Sequence, residues 1–181
     1  FSSDFGKKGI DNLTTAQRIR NQLSNPSDLK KFSNYNIFTG FGNIGDVDLD
    51  TEYARILADY FLPPTGFEFG RESTPRSHRL FNIIDLTKKH TRKYFDFKKD
   101  AKNAKGAMLV ELRAHKFYTM CHGQYDNGEK PVWNKADGLT EVTYDALFKS
   151  VALLAAATVI LQKYASEGMR NEYWKLVIAS L

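Results

Sequence analysis

The segment GDVDLD, residues 45–50, alternates acidic and apolar side chains within a stretch that otherwise has strand character. In a β-strand, residues two positions apart share one face, so the three aspartates face one way while Val47 and Leu49 face the core. These aspartates are Asp46, Asp48 and Asp50. Neighbouring buried carboxylates repel one another unless a cation lies between them. The pattern alone leaves two interpretations open, a divalent-cation site and a solvated strand face.

A second isolated acid lies in the apolar segment GAMLVELRAHKFYTM, residues 106–120, which is predicted to be a strand broken near residues 113–115. Alternation places Glu111 on the same face as Leu109 and Arg113. Carboxylate oxygens are the ligands that Mg²⁺ or Mn²⁺ prefers. Two such ions can clamp the attacking and leaving oxygens of a phosphoryl transfer.

Phosphate-binding residue types cluster in the segment FGRESTPRSHRLF, residues 69–81. Arginine forms forked hydrogen bonds to phosphate oxygens, and serine and histidine add further donors. The four candidates are Arg71, Arg76, Ser77 and His78. Taken alone, His78 is better explained as an ordinary histidine at the start of a strand. Acids on one strand and a phosphate-binding rim on another are what a nucleotidyl transferase requires.

The order of predicted elements favours an α+β fold in one domain. Strands are predicted within residues 34–43, 44–50, 66–71, 77–85 and 106–120. Helices are predicted within residues 13–32, at about 51–62, at about 141–165 and from about residue 170. Asp50 or Thr51 can cap the second of these helices. The apolar run at residues 151–161 is too short to span a bilayer and predicts a buried helix, with no membrane partner.

The cellular setting is inferred from composition and from the chain ends. The single cysteine, Cys121, excludes an internal disulfide and favours a reducing, cytoplasmic location. The formal net charge of +5 suits an anionic partner such as nucleic acid. The chain begins without methionine and ends within a predicted helix, so we expect residues 1–181 to be one domain excised from a longer protein.

The lysine-rich segment TKKHTRKYFDFKKDAKNAKG, residues 87–106, is predicted to be a loop with a short helical piece. Its aromatic residues alternate with cations, the composition with which proteins hold single strands of nucleic acid. The candidates for this contact are Lys88, Lys89, Arg92 and Lys93. A solvated loop whose aromatic residues pack into the core explains the same composition, and both interpretations stay open.

In their order along the chain, GDVDLD, LPPTGFEFGRESTPRSHRLF, MLVELRA and NGEKPVW resemble the motifs of the primase-polymerase domain. This domain belongs to the archaeo-eukaryotic primase superfamily, in the branch found in plasmid and phage replication proteins. The resemblance covers roughly residues 36–133. It implies a small antiparallel, RRM-like catalytic sheet backed by helices, with the acids on its open face.

The resemblance also implies the roles of individual residues. Asp48, Asp50 and Glu111 match the family's catalytic metal ligands, for two Mg²⁺ or Mn²⁺ ions. His78 matches the histidine that contacts the incoming triphosphate, with Ser77, Arg76 and Arg71 nearby. Asp46 has no counterpart in the family pattern and is expected to be structural or to support the ligands. Relatives commonly carry a histidine where this chain has Tyr125, and His122 is a candidate replacement.

The expected function is DNA primase or DNA polymerase activity, in which nucleoside triphosphates are joined on a single-stranded DNA template with release of pyrophosphate. A primer is a further expected partner, and a helicase or an accessory helical domain is expected elsewhere in the full-length protein. Two alternatives stay open: a metal-dependent nuclease, and a catalytically silent nucleic-acid-binding module of a replication initiator.

Overall fold

The structure, a computed structural model, describes residues 33–87, 92–95 and 108–164. Within these ranges the chain has a mostly antiparallel sheet and two helices, so the predicted α+β class is confirmed. The helices predicted within residues 13–32 and from about residue 170 lie outside the described residues.

The described elements lie within the predicted segments up to residue 120, apart from residues 92–95, but the two strands within residues 132–142 were not predicted. The strands are β1 (Tyr35–Phe38), β2 (Ile44–Leu49), β3 (Phe67–Gly70), β4 (His78–Ile83), β5 (Arg92–Phe95), β6 (Met108–Arg113), β7 (Tyr118–His122), β8 (Val132–Ala136) and β9 (Thr140–Val142). The helices are α1 (Glu52–Phe61) and α2 (Tyr144–Tyr164). The prediction of a loop across residues 92–95 is wrong, because these residues pair with β6 as a strand.

The larger sheet has the strand order β5-β6-β2-β4-β3-β8, and β9 adds to β4 in parallel. Strand β2, which carries the aspartates, lies between β6 and β4 and is antiparallel to both. A central strand has no free edge, so its residues are fixed in register on both sides. The sheet therefore determines which side chains of β4 and β6 lie beside each aspartate.

The hydrophobic core lies between one face of this sheet and the two helices. Val47 and Leu49 are fully buried in it, as their alternation with the aspartates predicts. Thr51 caps α1, where its hydroxyl accepts a hydrogen bond from the Ala54 amide at 3.2 Å. Helix α2 is buried on one side only, since Val151 and Leu154 are 0% exposed while Leu153 is 60% exposed. By length and composition alone, residues 144–162 are long and apolar enough to cross a membrane, whereas the apolar run at residues 151–161 was predicted to be too short.

The opposite face, which carries the acids, is covered rather than open. Strands β1 and β7 form a separate two-stranded antiparallel sheet. Its Thr119 donates a hydrogen bond to Asp46 in the larger sheet at 2.6 Å. Asp46 is 0% exposed and Asp48 is 7% exposed. The expectation of acids on an open face is therefore wrong for Asp46 and Asp48, because the small sheet supplies polar partners above them. Asp50, at the end of the strand, is exposed.

Candidate active site

One row of paired residues crosses five neighbouring strands at the acid cluster. Glu111 of β6 is opposite Asp48 of β2, which is in turn opposite His78 of β4. The row continues through Phe69 of β3 to Trp133 of β8. Directly opposite residues on one face of a sheet have adjacent side chains. The register therefore brings together two predicted metal ligands and the predicted phosphate-binding histidine. The outermost of these three residues in the sequence, Asp48 and Glu111, are 63 positions apart.

The aromatic end of the row supports the histidine. The His78 ring stacks on Phe69 with centroids 4.7 Å apart and planes inclined by 23°. Phe69 packs in turn against Trp133 at 4.5 Å. The Trp133 indole donates to the Cys121 carbonyl oxygen in β7 at 3.0 Å. This stack limits the orientations that the imidazole can adopt.

Asp46 holds the other side of the imidazole. Nδ1 of His78 lies 3.1 Å from Oδ2 of Asp46, the oxygen that also accepts the Thr119 hydroxyl. Burial opposes the charged form of His78, but the charge and hydrogen bond of Asp46 outweigh it and raise the pKa of His78. Burial likewise opposes ionisation of Asp46, yet His78 and Arg113 keep the pKa of Asp46 below its usual value. Both shifts favour an imidazolium paired with a carboxylate, and this pairing leaves Nε2 as the nitrogen that can donate to a ligand.

The two predicted ligands on β2 and its end have raised pKa values. Burial, with the charges of Asp46 and Glu111 adding to it, raises the pKa of Asp48 despite His78 and Arg113. Partial burial and the charge of Asp48 raise the pKa of Asp50 to about 7, although this residue is exposed at the strand end. The Asp50 amide donates to the Leu109 carbonyl at 3.0 Å, which fixes this aspartate at the strand end. Four carboxyl groups, those of Asp46, Asp48, Asp50 and Glu111, thus share two cationic partners, His78 and Arg113.

Arg113 is a site residue to which the sequence interpretation gave no role. Its guanidinium pairs with Asp48 and donates from Nε to Glu111 at 3.1 Å. It also lies 3.8 Å from Asp46 and donates to the Thr119 hydroxyl at 3.3 Å. The alternation of side chains along the strand could have identified Arg113, because it places this residue on the same face as Glu111. Because the side chain is long, it reaches back across that face to the acids of β2.

A cavity of about 370 Å³ opens over the acid cluster, a volume within the range of small-molecule sites. Five predicted site residues line it: Arg71, Ser77, His78, Asp48 and Asp50. Arg113 and Tyr125 join them, and the small β1–β7 sheet contributes Asn36, Tyr118, Thr119 and Met120. Carboxylates and phosphate-binding residue types thus share one cavity.

Arg71 and Tyr125 lie on two loops that form one wall of the cavity. The Arg71 guanidinium lies over the Tyr125 ring, 4.7 Å from its centroid. Arg71 also pairs with Glu129 at 3.5 Å, and Glu129 accepts the Ser73 amide at 2.8 Å. Burial raises the pKa of the Tyr125 hydroxyl, with the Arg71 charge opposing this. Tyr125, the position for which the resemblance implied a histidine, therefore lies at the cavity and contacts an arginine there.

Arg76 is not brought into the cavity. Its guanidinium bonds to Glu68 at 2.6 Å and to Asp59 of α1 at 2.8 Å. The backbone of Arg76 has a φ of 57°, a left-handed conformation that is unusual for a residue other than glycine. Arg79 joins the same ion pairs through Asp59 at 2.6 Å. The structure thus gives Arg76 a role in fixing the loop before β4.

The predicted nucleic-acid contacts are only partly described. Lys88 and Lys89 lie outside the described residues. Arg92 and Lys93 belong to β5, the edge strand beside β6, where Lys93 is opposite Glu111 in register. Two of the four cations are thus placed at the edge of the sheet that bears the acids.

The carboxylates of the acid cluster are of the chemical type that binds divalent cations. Asp48, Asp50 and Glu111 offer hard oxygen ligands, and Oδ1 of buried Asp46 has no hydrogen-bond partner among the described residues. As the side chains stand, no three acids, histidines or cysteines in the described ranges are arranged to hold an ion. Arg113 bridges Asp48 and Glu111 instead. The donor types therefore suit a divalent ion, whereas their present arrangement, with Arg113 between the two carboxylates, does not hold one.

No protein-family model matches the chain, and no curated protein matches it either. The resemblance to primase-polymerase domains remains a prediction from the order of its motifs. The functional argument consequently depends on the geometry of the acid row and its cavity.

Proposed function

We propose that this domain is a template-directed nucleotidyl transferase, a DNA primase or DNA polymerase of the primase-polymerase kind. The observation that supports this most is the register Glu111–Asp48–His78, which sets two carboxylates beside an imidazole. Asp48 and His78 line the cavity, and Glu111 is buried beside Asp48. Metal-binding oxygens and a phosphate-binding cation in adjacent positions suit a nucleoside triphosphate substrate.

Asp48, Asp50 and Glu111 would hold two Mg²⁺ or Mn²⁺ ions. When bound, these ions would activate the primer 3′-hydroxyl and stabilise the negative charge that develops on the triphosphate. Asp50 must give up its proton to act as a ligand, because a protonated carboxyl is a poor donor to metal.

The remaining cavity residues would bind and orient the triphosphate. His78, kept in the imidazolium form by Asp46, would donate from Nε2 to a phosphate oxygen. Arg71 would approach from the opposite wall, where Tyr125 and Glu129 hold its guanidinium. The Ser77 hydroxyl lines the same cavity and offers a further donor. Arg92 and Lys93 on β5 are proposed to contact the DNA backbone along the sheet edge.

A catalytically silent nucleic-acid-binding module is the second candidate, and the ion pairs of Arg113 favour it. A guanidinium that permanently neutralised Asp48 and Glu111 would leave those acids unable to hold an ion. An assay with Mn²⁺ or Mg²⁺, labelled nucleotides and a primed or unprimed template separates the candidates. Extension supports the proposal, DNA binding without product supports the silent module, and shortening of the strand indicates a nuclease.

A further inference from the structure

Arg113 contacts the acid cluster at several points that its backbone position fixes. It is the last residue of β6 and is directly opposite Asp46 of β2. From there its guanidinium reaches Asp48 and Glu111, and NH1 donates to the Thr119 hydroxyl above them. A planar guanidinium can serve several carboxylate oxygens at once, which a lysine ammonium does with less geometric order.

The oxygens that Arg113 holds belong to the predicted metal ligands. It pairs with Oδ2 of Asp48 and with Oε2 of Glu111. A divalent ion bound by both carboxylates would lie beside a guanidinium that is bonded to the same two groups. Two cations bound to the same two carboxylates in a buried site repel each other strongly. Arg113 and the metal therefore compete for Asp48 and Glu111.

We propose that Arg113 is a resident counter-cation, which holds the acids together in the metal-free protein and gives way when a divalent ion binds. This inference rests on the proposed function, from which the expected ion is taken. Arg113 also lines the cavity shared with Arg71 and Ser77. A guanidinium released from the carboxylates therefore stays on the wall where the triphosphate is expected, and it contributes a positive charge there.

The competition is tested by Mn²⁺ titration of the 181-residue chain without nucleotide, followed by electron paramagnetic resonance of free Mn²⁺. Arg113→Gln removes the competing charge and leaves the acids, so we expect its Mn²⁺ affinity to rise roughly tenfold. Arg113→Lys keeps a cation and should stay near the wild type. Arg71→Gln is the matched control, because it removes an equal charge from the same cavity but Arg71 pairs with Glu129 instead of the acids.

A second measurement on the wild type needs no variant that could fail to fold. Nε of Arg113 donates to Glu111 at 3.1 Å, so its proton should exchange slowly in the metal-free protein. Saturation with Mg²⁺ should make this proton exchange faster in nuclear magnetic resonance spectra. Nε of Arg76, which donates to Glu68 at 2.6 Å away from the cavity, is the internal control and should not change.

The outcomes separate this inference from the proposed function. If the wild type and Arg113→Gln bind Mn²⁺ equally, and Asp48→Asn abolishes binding in both, the counter-cation inference is wrong while the metal site stands. An Arg113 Nε proton that stays protected in the Mg²⁺-bound protein overturns the inference in the same way. If neither protein binds Mn²⁺, both the inference and the proposed two-metal function fail.

Discussion

Asp46 and His78 form a buried pair across β2 and β4, with Oδ2 and Nδ1 3.1 Å apart. The aspartate without a counterpart in the motif pattern is thus the one that holds the histidine. Thr119 donates a hydrogen bond to Asp46, and the Arg113 guanidinium lies 3.8 Å from the same carboxylate. The three aspartates of β2 and its end therefore divide into one that orients the imidazole and two, Asp48 and Asp50, that line the cavity.

We predict that Asp46→Asn weakens nucleotide binding because His78 loses its carboxylate partner. Removing one member of a buried ion pair should also lower the free energy of unfolding by about 3 kcal/mol. Thr119→Val is the matched control, since it removes one hydrogen bond to Asp46 but leaves the charge. The measurements are the dissociation constant of a fluorescent nucleoside triphosphate and urea unfolding. Equal nucleotide affinity in Asp46→Asn and wild type would show that His78 is positioned without Asp46.

Trp133 supports His78 through Phe69, so truncation of the indole should affect the site from a distance. Trp133 is 37% exposed, and for a partly exposed tryptophan we expect Trp133→Ala to cost about 2 kcal/mol of folding free energy. Nucleotide affinity should fall with it. Trp133→Phe keeps a ring against Phe69 but loses the bond to Cys121, and it should retain most of the affinity. An unchanged affinity in folded Trp133→Ala would contradict this supporting role.

Gly70 allows the loop before β4 to fold back onto the end of β3. A Cβ atom at Gly70 would lie 2.6 Å from the Arg76 amide nitrogen and 2.9 Å from that of Ser77. Gly70→Ala should therefore displace this loop and cost at least about 2 kcal/mol. Gly42→Ala is the control, because Gly42 has a φ of +63° but open space around it, and only backbone strain of about 1 kcal/mol is expected. Thermal unfolding compares the two, and equal losses would contradict the steric account.

Glu129 links stability of the cavity wall to pH. Hydrogen bonds from Ser73 and Asn127, with the charge of Arg71, lower the pKa of Glu129 to about 2. A lowered carboxyl pKa stabilises the fold above the unfolded value of about 4.5, and this stabilisation is lost as the pH falls toward 2. Glu129→Gln should thus lower the melting temperature at pH 7 and match the wild type near pH 2. Glu72→Gln, an exposed change in the loop that carries Arg71 and Ser73, is the control. A constant difference between Glu129→Gln and the wild type across the pH range would refute the linkage.

The alternation of acidic and apolar residues and the helix-capping residues were sufficient to predict the local parts of the fold. The acid–apolar period of residues 45–50 predicted strand β2 and its two faces, and Val47 and Leu49 are indeed in the core. Thr51 was one of two predicted caps for α1, and its hydroxyl accepts the Ala54 amide. These features depend on neighbours within a few residues, which the sequence displays directly.

The unpredicted parts depend on pairings between distant residues. Strand β1 pairs with β7, and the resulting small sheet covers acids that were expected to be open. Arg76 and Arg113 carry the same charge, yet Arg76 bonds to Glu68 and Asp59 while Arg113 bonds to the acids of the cavity. Residue type alone does not distinguish these partners. Strand register and side-chain reach decide between them, and neither is local in the sequence.

The central claim is that Asp48 and Glu111, opposite each other on β2 and β6, carry out nucleotidyl transfer. The most direct test is the rate at which Glu111→Gln and Asp48→Asn add one labelled nucleotide to a primed template with Mn²⁺, beside the wild type. We expect the wild type to extend the primer and each variant to lose roughly a thousandfold in rate while keeping its fold and DNA binding. A Glu111→Gln variant that extends primer at the wild-type rate, or a folded wild type that binds DNA and adds no nucleotide, would contradict the account.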